Sequence, residues 1–367
     1  MKKSDSPWRV PLVAAIALVM TAMVLGVAAC GGSSSSGDAN AAPAADTIVG
    51  AGATFPYPVY TKWGSEYAAT GGAKLNYQGI GSGGGISAVT AGTVQFGASD
   101  APLEQSELDS ANLAQFPMIV GGVVPVVNLE GVSKDQLMLT ADVLAKIYNG
   151  DITTWNDQAI VSLNSGVKLP DTKINVVHRS DGSGTTWIFT HYLEAAAPGV
   201  WTAGADKEVN WPTGVGGKGN EGVASSVKQI NGSIGYVEYA YAEQADLTTV
   251  QLQNKDGKYV KASLDTFQNA AGQADWQSSL PSMYLILVDQ PGADTWPIAG
   301  ASFILVPKDQ QDAAAAKSIL SFFDWAYQNG AETAKSLDYV PIPDSVYSLV
   351  ESDVWKTITV SGTPVWQ

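Results

Sequence analysis

Outside its first thirty residues the chain carries 16 lysines and a single arginine, Arg179. That arginine opens the run Arg179-Ser180-Asp181-Gly182-Ser183-Gly184-Thr185, just after the strand-like stretch Ile174-Asn175-Val176-Val177. A guanidinium presents a rigid fork of donors suited to two oxygens of a carboxylate or phosphate, a geometry lysine cannot copy. The turn that follows leads into an apolar helical pattern. Its free backbone N–H groups and the helix dipole make it a ready anion site. Alone, Arg179 reads more readily as a surface arginine beside a turn.

Two further turns of the same kind lie upstream. The first is Gly50-Ala51-Gly52-Ala53-Thr54-Phe55-Pro56, where Thr54 suits an N-cap and Pro56 the first helical turn. The second is Gly79-Ile80-Gly81-Ser82-Gly83-Gly84-Gly85. Each offers a hydroxyl and unpaired N–H groups at a helix start. Singly, each is a capped helix; three of them, one attached to the lone arginine, resemble a cradle for a small oxyanion.

Other chemistries fit less well. Gly79, Gly81 and Gly84 match G-x-G-x-x-G with Asp100 downstream, the spacing of a dinucleotide fingerprint, but glycine-rich runs match it easily. Gly217-Lys218 is followed by Gly219, which rules out a Walker A loop. Only two histidines occur, His178 and His191, and no serine stands in G-x-S-x-G. No Cys/His/carboxylate cluster has metal-ligand spacing. Neither catalysis nor a cofactor is expected.

The elements that must hold these turns alternate short apolar strands with helical patterns, which argues an α/β fold. Strands are predicted at 74–77, 94–96, 123–127, 174–177, 234–239 and 303–306. Val59, Trp63 and Tyr67 predict one helix. A second runs from Ala313 through Ile319, Phe322, Phe323 and Ala326, with Gly330 placed to end it.

The ends of the chain speak of export. Lys2, Lys3 and Arg9 precede an apolar stretch that closes on Val27-Ala28-Ala29-Cys30, a pattern resembling a lipoprotein signal cleaved before its lipidated cysteine. An uncleaved membrane anchor is the alternative. Residues 1–29 are thus expected to be a signal peptide, Cys30 the lipidation site, and 30–46, rich in Gly, Ser and Ala, a flexible tether. Cys30 is the only cysteine, so the body holds by its core, most naturally as two lobes. Without residues 1–29 the chain keeps 17 basic and 34 acidic residues. Nucleic acid is a poor partner for such a body, and any anion must be held by local donors.

Read in order, GAGATFP at 50–56, NYQGIGS at 76–82, FGASDAPL at 96–103 and DGSGT at 181–185 closely resemble the phosphate-binding proteins of high-affinity phosphate ABC transporters. So do WPTGVGGKGNEG at 211–222, IGYVEYAYA at 234–242 and FFDWAYQNGA at 322–331. The resemblance implies a two-lobed class II periplasmic-binding-protein fold, with phosphate in the interlobe cleft and two chain crossings as a hinge. One lobe would comprise 47–121 plus 300–367 and the other 122–299. Phosphate contacts would fall on Thr54, Phe55 (through its N–H), Ser82, Asp100, Arg179, Ser183, Gly184 and Thr185, with Asp181 orienting the arginine. The protein would be a monomeric, extracytoplasmic receptor, anchored through lipid on Cys30, that hands its ligand to membrane permease subunits. Gly83 and His178 depart from residues common in the family, and 281–295 is its least family-like part.

In such a site Asp100 would be informative. A carboxylate only accepts, so it requires a ligand that still carries a proton, as phosphate does and sulfate does not. On residue types alone Asp100 reads rather as a cap for the turn at Ala101-Pro102. An exported enzyme acting on phosphate esters, or a receptor for another oxyanion such as sulfate or arsenate, are the competing readings.

Overall fold

The ten strands of the main sheet form where β-branched and aromatic runs alternate with glycine-rich turns. They are β1 (Thr47–Gly52), β2 (Lys74–Gly79), β3 (Phe96–Ser99), β4 (Leu113–Asn128), β5 (Asn175–Arg179), β6 (Val215–Gly217), β7 (Ser233–Glu238), β8 (Thr248–Thr249), β9 (Ala299–Pro307) and β10 (Val340–Pro341). The computed structural model describes residues 46–366. Cys30, the signal segment 1–29 and all of the tether but its last residue lie outside the described residues.

The strands make one mixed sheet in the order β2-β1-β3-β9-β4-β7-β5-β6, with β8 and β10 also paired to β4. At one end β1 runs parallel to β2 and β3. At the other, β5 runs parallel to β6 and β7. Between them β9 is antiparallel to β3 and β4, and β4 is antiparallel to β7. Two parallel blocks are thus joined through an antiparallel centre.

The central strand is longer than its sequence pattern suggests. Only 123–127 reads as strand, because Pro117 and the Gly121-Gly122 pair break the β-branched run. In the structure Leu113–Gly122 pairs with β9 and Val123–Asn128 with β7. Pro117 is accommodated where the register shifts opposite Ser302 and Phe303, the kind of irregularity at which proline is tolerated. The strand predicted at 94–96 instead begins at Phe96. Gln95 reaches β1 ahead of the ladder, its N–H donating to Val49 O (2.9 Å) and its Oε1 accepting from Val49 N (2.7 Å).

Six helices matter for the site and its support: α1 (Tyr57–Ala69), α2 (Ser82–Thr90), α3 (Gly184–Ala196), α4 (Gly219–Gln229), α5 (Tyr239–Gln244) and α6 (Ala313–Asn329). On α1 Val59 and Trp63 are buried, and Tyr67 packs on Phe322 and Trp325 of α6, as the four-residue spacing predicts. Asp312 caps α6 by accepting from Ala314 N and Ala315 N. The helix ends before Gly330, whose carbonyl accepts from Trp63 Nε1 at 2.9 Å. Aromatic rings fill both blocks: Tyr77 stacks on Phe96 in one, Phe189 on Tyr236 in the other. The loops that follow β1, β2, β3, β5 and β6 leave the C-terminal ends of parallel strands, where open α/β sheets place their ligands.

Candidate functional site

The three turns and Asp100 converge from those strand ends. Thr54 follows β1 but does not cap α1. The helix is entered through Pro56 with no side-chain cap bond. The Thr54 hydroxyl is engaged elsewhere: its Oγ1 accepts from the backbone N (3.1 Å) and Nδ2 (2.9 Å) of Asn220, at the start of α4. Its carbonyl accepts from the Tyr241 hydroxyl on α5 (2.6 Å). Phe55, fully buried, packs on Tyr339 and accepts at its carbonyl from that tyrosine's hydroxyl (2.7 Å).

Ser82 opens α2 after Gly81, whose φ of 86° is left-handed and suits glycine. The Ser82 Oγ accepts from Asp100 N (3.2 Å) and from Gly184 N (3.0 Å). Gly184 must lack a side chain, since a Cβ there would meet Asp100 Cβ at 2.5 Å and Ser82 Oγ at 2.6 Å. The second and third turns also touch through Gly83 N donating to Gly182 O (2.9 Å).

Asp100 does not cap the turn that follows it. Ser99 does that, accepting from Ala101 N and donating to Ala101 O. Asp100 is 2 % exposed, and its Oδ1 has no hydrogen-bond partner within the protein. Burial pushes its carboxyl up to about 7. The nearby Ser302 hydroxyl (which completes no hydrogen bond of its own), the Arg179 guanidinium and Ser82 only partly offset that burial. Asp100 Oδ2 accepts a long bond from Ser82 Oγ (3.5 Å), and a buried carboxyl whose other oxygen is unpartnered is an expensive feature to keep without a use.

Arg179 ends β5 and its side chain is 1 % exposed. Its Nε donates to Asp181 Oδ1 (2.8 Å) and its Nη2 to Asp181 Oδ2 (2.6 Å), a two-point pairing that fixes the plane of the guanidinium. Nη1 donates to Thr185 Oγ1 at 3.3 Å. Burial alone would raise the Asp181 carboxyl, but the Arg179 contacts and Gly219 N–H hold it below the usual range. The pair is therefore ionised. Ser183 caps α3 by accepting from Thr186 N (3.0 Å), as the third turn predicts.

The structure thus brings Thr54, Phe55, Ser82, Asp100, Arg179, Asp181, Ser183, Gly184 and Thr185 into one locale. The reading from sequence missed Asn220, which is fully buried and bonds to Thr54, Thr185 and Glu238. Its signal was present: Gly216-Gly217-Lys218-Gly219 is a fourth glycine-rich turn at a helix start. Neither histidine joins the site. His178 stacks on Trp211, its Nδ1 meets Arg179 O, and burial lowers its pKa. His191 lies against Trp187. Among the described residues no group of His, Cys, Asp or Glu is arranged to hold a metal ion, and no helix is long and apolar enough to cross a membrane. A groove of about 670 Å³, lined by Tyr57, Lys62, Glu221 and Tyr241, shares Thr54 with the cradle but lies beside it.

Comparison with known proteins is consistent with this geometry. Residues 37–329 match the family model described as a PBP superfamily domain. The chain is 50 % identical over 327 residues to the phosphate-binding protein PstS of Pasteurella multocida, covering 88 % of this chain and 94 % of that one. It is 35 % identical over 359 residues to PstS of Methanocaldococcus jannaschii, covering 90 % and 92 %. Among solved structures, a high-affinity periplasmic phosphate-binding protein bound with phosphate superposes with a TM-score of 0.70 at 22 % identity, covering 83 % of this chain and 93 % of that one. A phosphate-binding protein from Stenotrophomonas maltophilia gives a TM-score of 0.65 at 21 % identity, with the same coverage. These two show the fold, a periplasmic-binding-protein fold.

Proposed function

This chain belongs to the PstS family of phosphate-binding proteins within the PBP superfamily, and from that premise we propose that it is the receptor of a phosphate ABC transporter. Its ligand is inorganic phosphate, and its action is binding and delivery, not catalysis. One observation carries the reading: a buried arginine, four buried hydroxyls and a carboxyl with one unpartnered oxygen meet at helix starts. Phosphate contacts are assigned to Thr54, the Phe55 N–H, Ser82, Asp100, Arg179, Ser183, Gly184 and Thr185.

The chemistry of those groups favours a protonated oxyanion. Asp181 offsets the charge of Arg179 and leaves Nη1 to meet an oxygen. Hydroxyls and helix-start N–H groups supply donors with little net charge. Asp100 then shares one proton with the ligand: a monoanion facing a carboxylate and a dianion facing a carboxylic acid have the same composition. Sulfate brings no proton to that bond at neutral pH. Gly184 contributes first by the close approach it permits, which lets Ser82 and Asp100 reach the third turn.

Closure of two lobes around the ligand is the accompanying motion. The lobes are assigned as 47–121 plus 300–367 and 122–299. The support is that β4 changes partner between Gly122 and Val123, beside Ala299 and Gly300 of β9. Thr54, Ser82 and Asp100 then belong to the first lobe, Arg179 to Thr185 and Asn220 to the second. An extracytoplasmic, monomeric protein, freed of residues 1–29 and held to a membrane by lipid on Cys30, is the form in which such a receptor would meet its permease; the pattern at 27–30 supports the cleavage and the anchor.

The test is a calorimetric titration of anion-stripped protein with phosphate and then sulfate. Saturable phosphate binding without a sulfate response is expected. Equal binding of both, or of neither, would overturn the reading.

A further inference from the structure

A hydroxyl has two lone pairs and one proton, so a hydroxyl that already accepts two N–H bonds can only donate to a third partner. Three hydroxyls of the cradle are in that condition. Ser82 Oγ accepts from Asp100 N and Gly184 N, and its own proton faces Asp100 Oδ2 at 3.5 Å. Thr54 Oγ1 accepts from Asn220 N and Asn220 Nδ2. Thr185 Oγ1 accepts from Arg179 Nη1 (3.3 Å) and Asn220 Nδ2 (3.2 Å). Asn220 therefore supplies three of these bonds, two of them from its side-chain amide.

The orientation of that amide is not free. Asn220 Oδ1 accepts from Glu238 N at 3.0 Å, and a backbone N–H can only donate, so Nδ2 must face the threonines. Asn220 is fully buried, and each hydrogen of its amide has one threonine oxygen to meet. Glu238 ends β7 on the strand paired to β4, so the amide is aligned by the sheet itself.

We propose that Asn220 is a positioning residue that sets the polarity of the cradle, filling the lone pairs of Thr54 and Thr185 so that both hydroxyls present protons to the anion. The assignment rests on the phosphate reading above. Its consequence is specificity by protonation state: donor-only hydroxyls suit bare phosphate oxygens, and Asp100 is left as the one acceptor for P–OH. Without the Asn220 amide each threonine regains one lone pair, since the backbone N–H of residue 220 still serves Thr54 and Arg179 still serves Thr185. They then accept from P–OH as readily as they donate to P–O⁻, and the preference for the more ionised phosphate weakens.

The experiment measures phosphate affinity by calorimetry across the second ionisation of phosphate, for wild type, Asn220→Ala, Asn220→Asp, Thr54→Val and the double variant Asn220→Ala/Thr54→Val. Two hydrogen bonds that are misdirected but not removed predict a loss of about 10- to 100-fold for Asn220→Ala. Its affinity optimum should also move to lower pH. Asn220→Asp keeps the acceptor for Glu238 N and nearly the same shape but turns an acceptor toward the threonines, so it should bind more weakly still. Part of the Asn220→Ala loss should vanish in the Thr54→Val background, since the two residues act through one hydroxyl. A loss that is equal at every pH and unchanged by Thr54→Val would mean a purely structural asparagine, and so would overturn the proposal, as would wild-type affinity in Asn220→Ala. Failure of the wild type itself to bind phosphate would overturn the function and this inference together.

Discussion

The carboxyl of Asp100 is the residue on which stability and selectivity meet. Its pKa is raised from the ordinary carboxylate value to about 7 by burial. A group whose folded pKa is raised stabilises the fold fully below its unfolded pKa, near pH 4, and that contribution is lost as pH rises through the folded value. In the conformation described, where Asp100 is buried, the ligand-free protein should therefore lose stability, on the order of a few kcal/mol, between roughly pH 4 and pH 7. Asp100→Asn should flatten that slope in denaturant titrations; an unchanged slope would mean the carboxyl is not held near neutrality. The same ionisation sets what the site tolerates. Above about pH 7 a charged Asp100 repels sulfate, whereas below it the neutral acid can donate to a sulfate oxygen. Sulfate competition should accordingly appear only as pH falls through that range in the wild type, and should lose its pH dependence in Asp100→Asn. Competition that ignores pH in the wild type would remove Asp100 from the selectivity argument.

At the scale of elements, the site depends on how closely two helix starts approach. The N-terminus of α3 meets the Ser82 turn and the end of β3 through Gly184, where a Cβ would collide with Asp100 and Ser82. Overpacking of this kind costs about 1–3 kcal/mol, so Gly184→Ala should weaken phosphate binding about 5- to 150-fold. Unfolding of the ligand-free chain should change little if the lobes can part to relieve the clash. Affinity equal to wild type would show that the observed closeness is not needed for binding. These approaches also explain what could be read from the sequence. Turns at 50–56, 79–85 and 181–185 were legible because glycine, hydroxyl and helix pattern are local signals. The helices at α1 and α6 were legible because Val59, Trp63, Ile319 and Phe323 repeat at helical spacing. For Asn220 the glycine-rich turn before it marks a helix start, but its role is not local: its partners Thr54 and Glu238 lie 166 and 18 residues away. The first half of β4 was hidden for the same reason: Pro117 and Gly121-Gly122 argue locally against a strand that β9 stabilises from far along the chain. The local rule makes Thr54 a cap, and it is overridden by a donor from α4.

The whole molecule sets charge against charge. The full chain carries a formal net charge of −15, yet the ligand assigned to it is an anion. The global field and the local site therefore act on different quantities. A buried site whose arginine is paired and whose remaining donors are hydroxyls and N–H groups is shielded from solvent ions, so the strength of the bound complex should respond weakly to salt. The approach of the anion happens outside, where the acidic surface repels it, and added salt screens that repulsion. Association of phosphate should therefore speed up with ionic strength while dissociation stays nearly constant, the reverse of what a basic, field-driven anion binder shows. Stopped-flow recording of intrinsic Trp fluorescence would separate the two, given Trp187 and Trp211 beside the arginine loop. A fall in the association rate with salt would place an attractive patch at the mouth of the cleft. A large change in the dissociation rate would mean the closed site is wet and its selectivity must come from elsewhere than desolvated donors. With either result the division of labour between an acidic surface and a locally wired cradle becomes measurable, because the surface enters only the first rate and the cradle only the second.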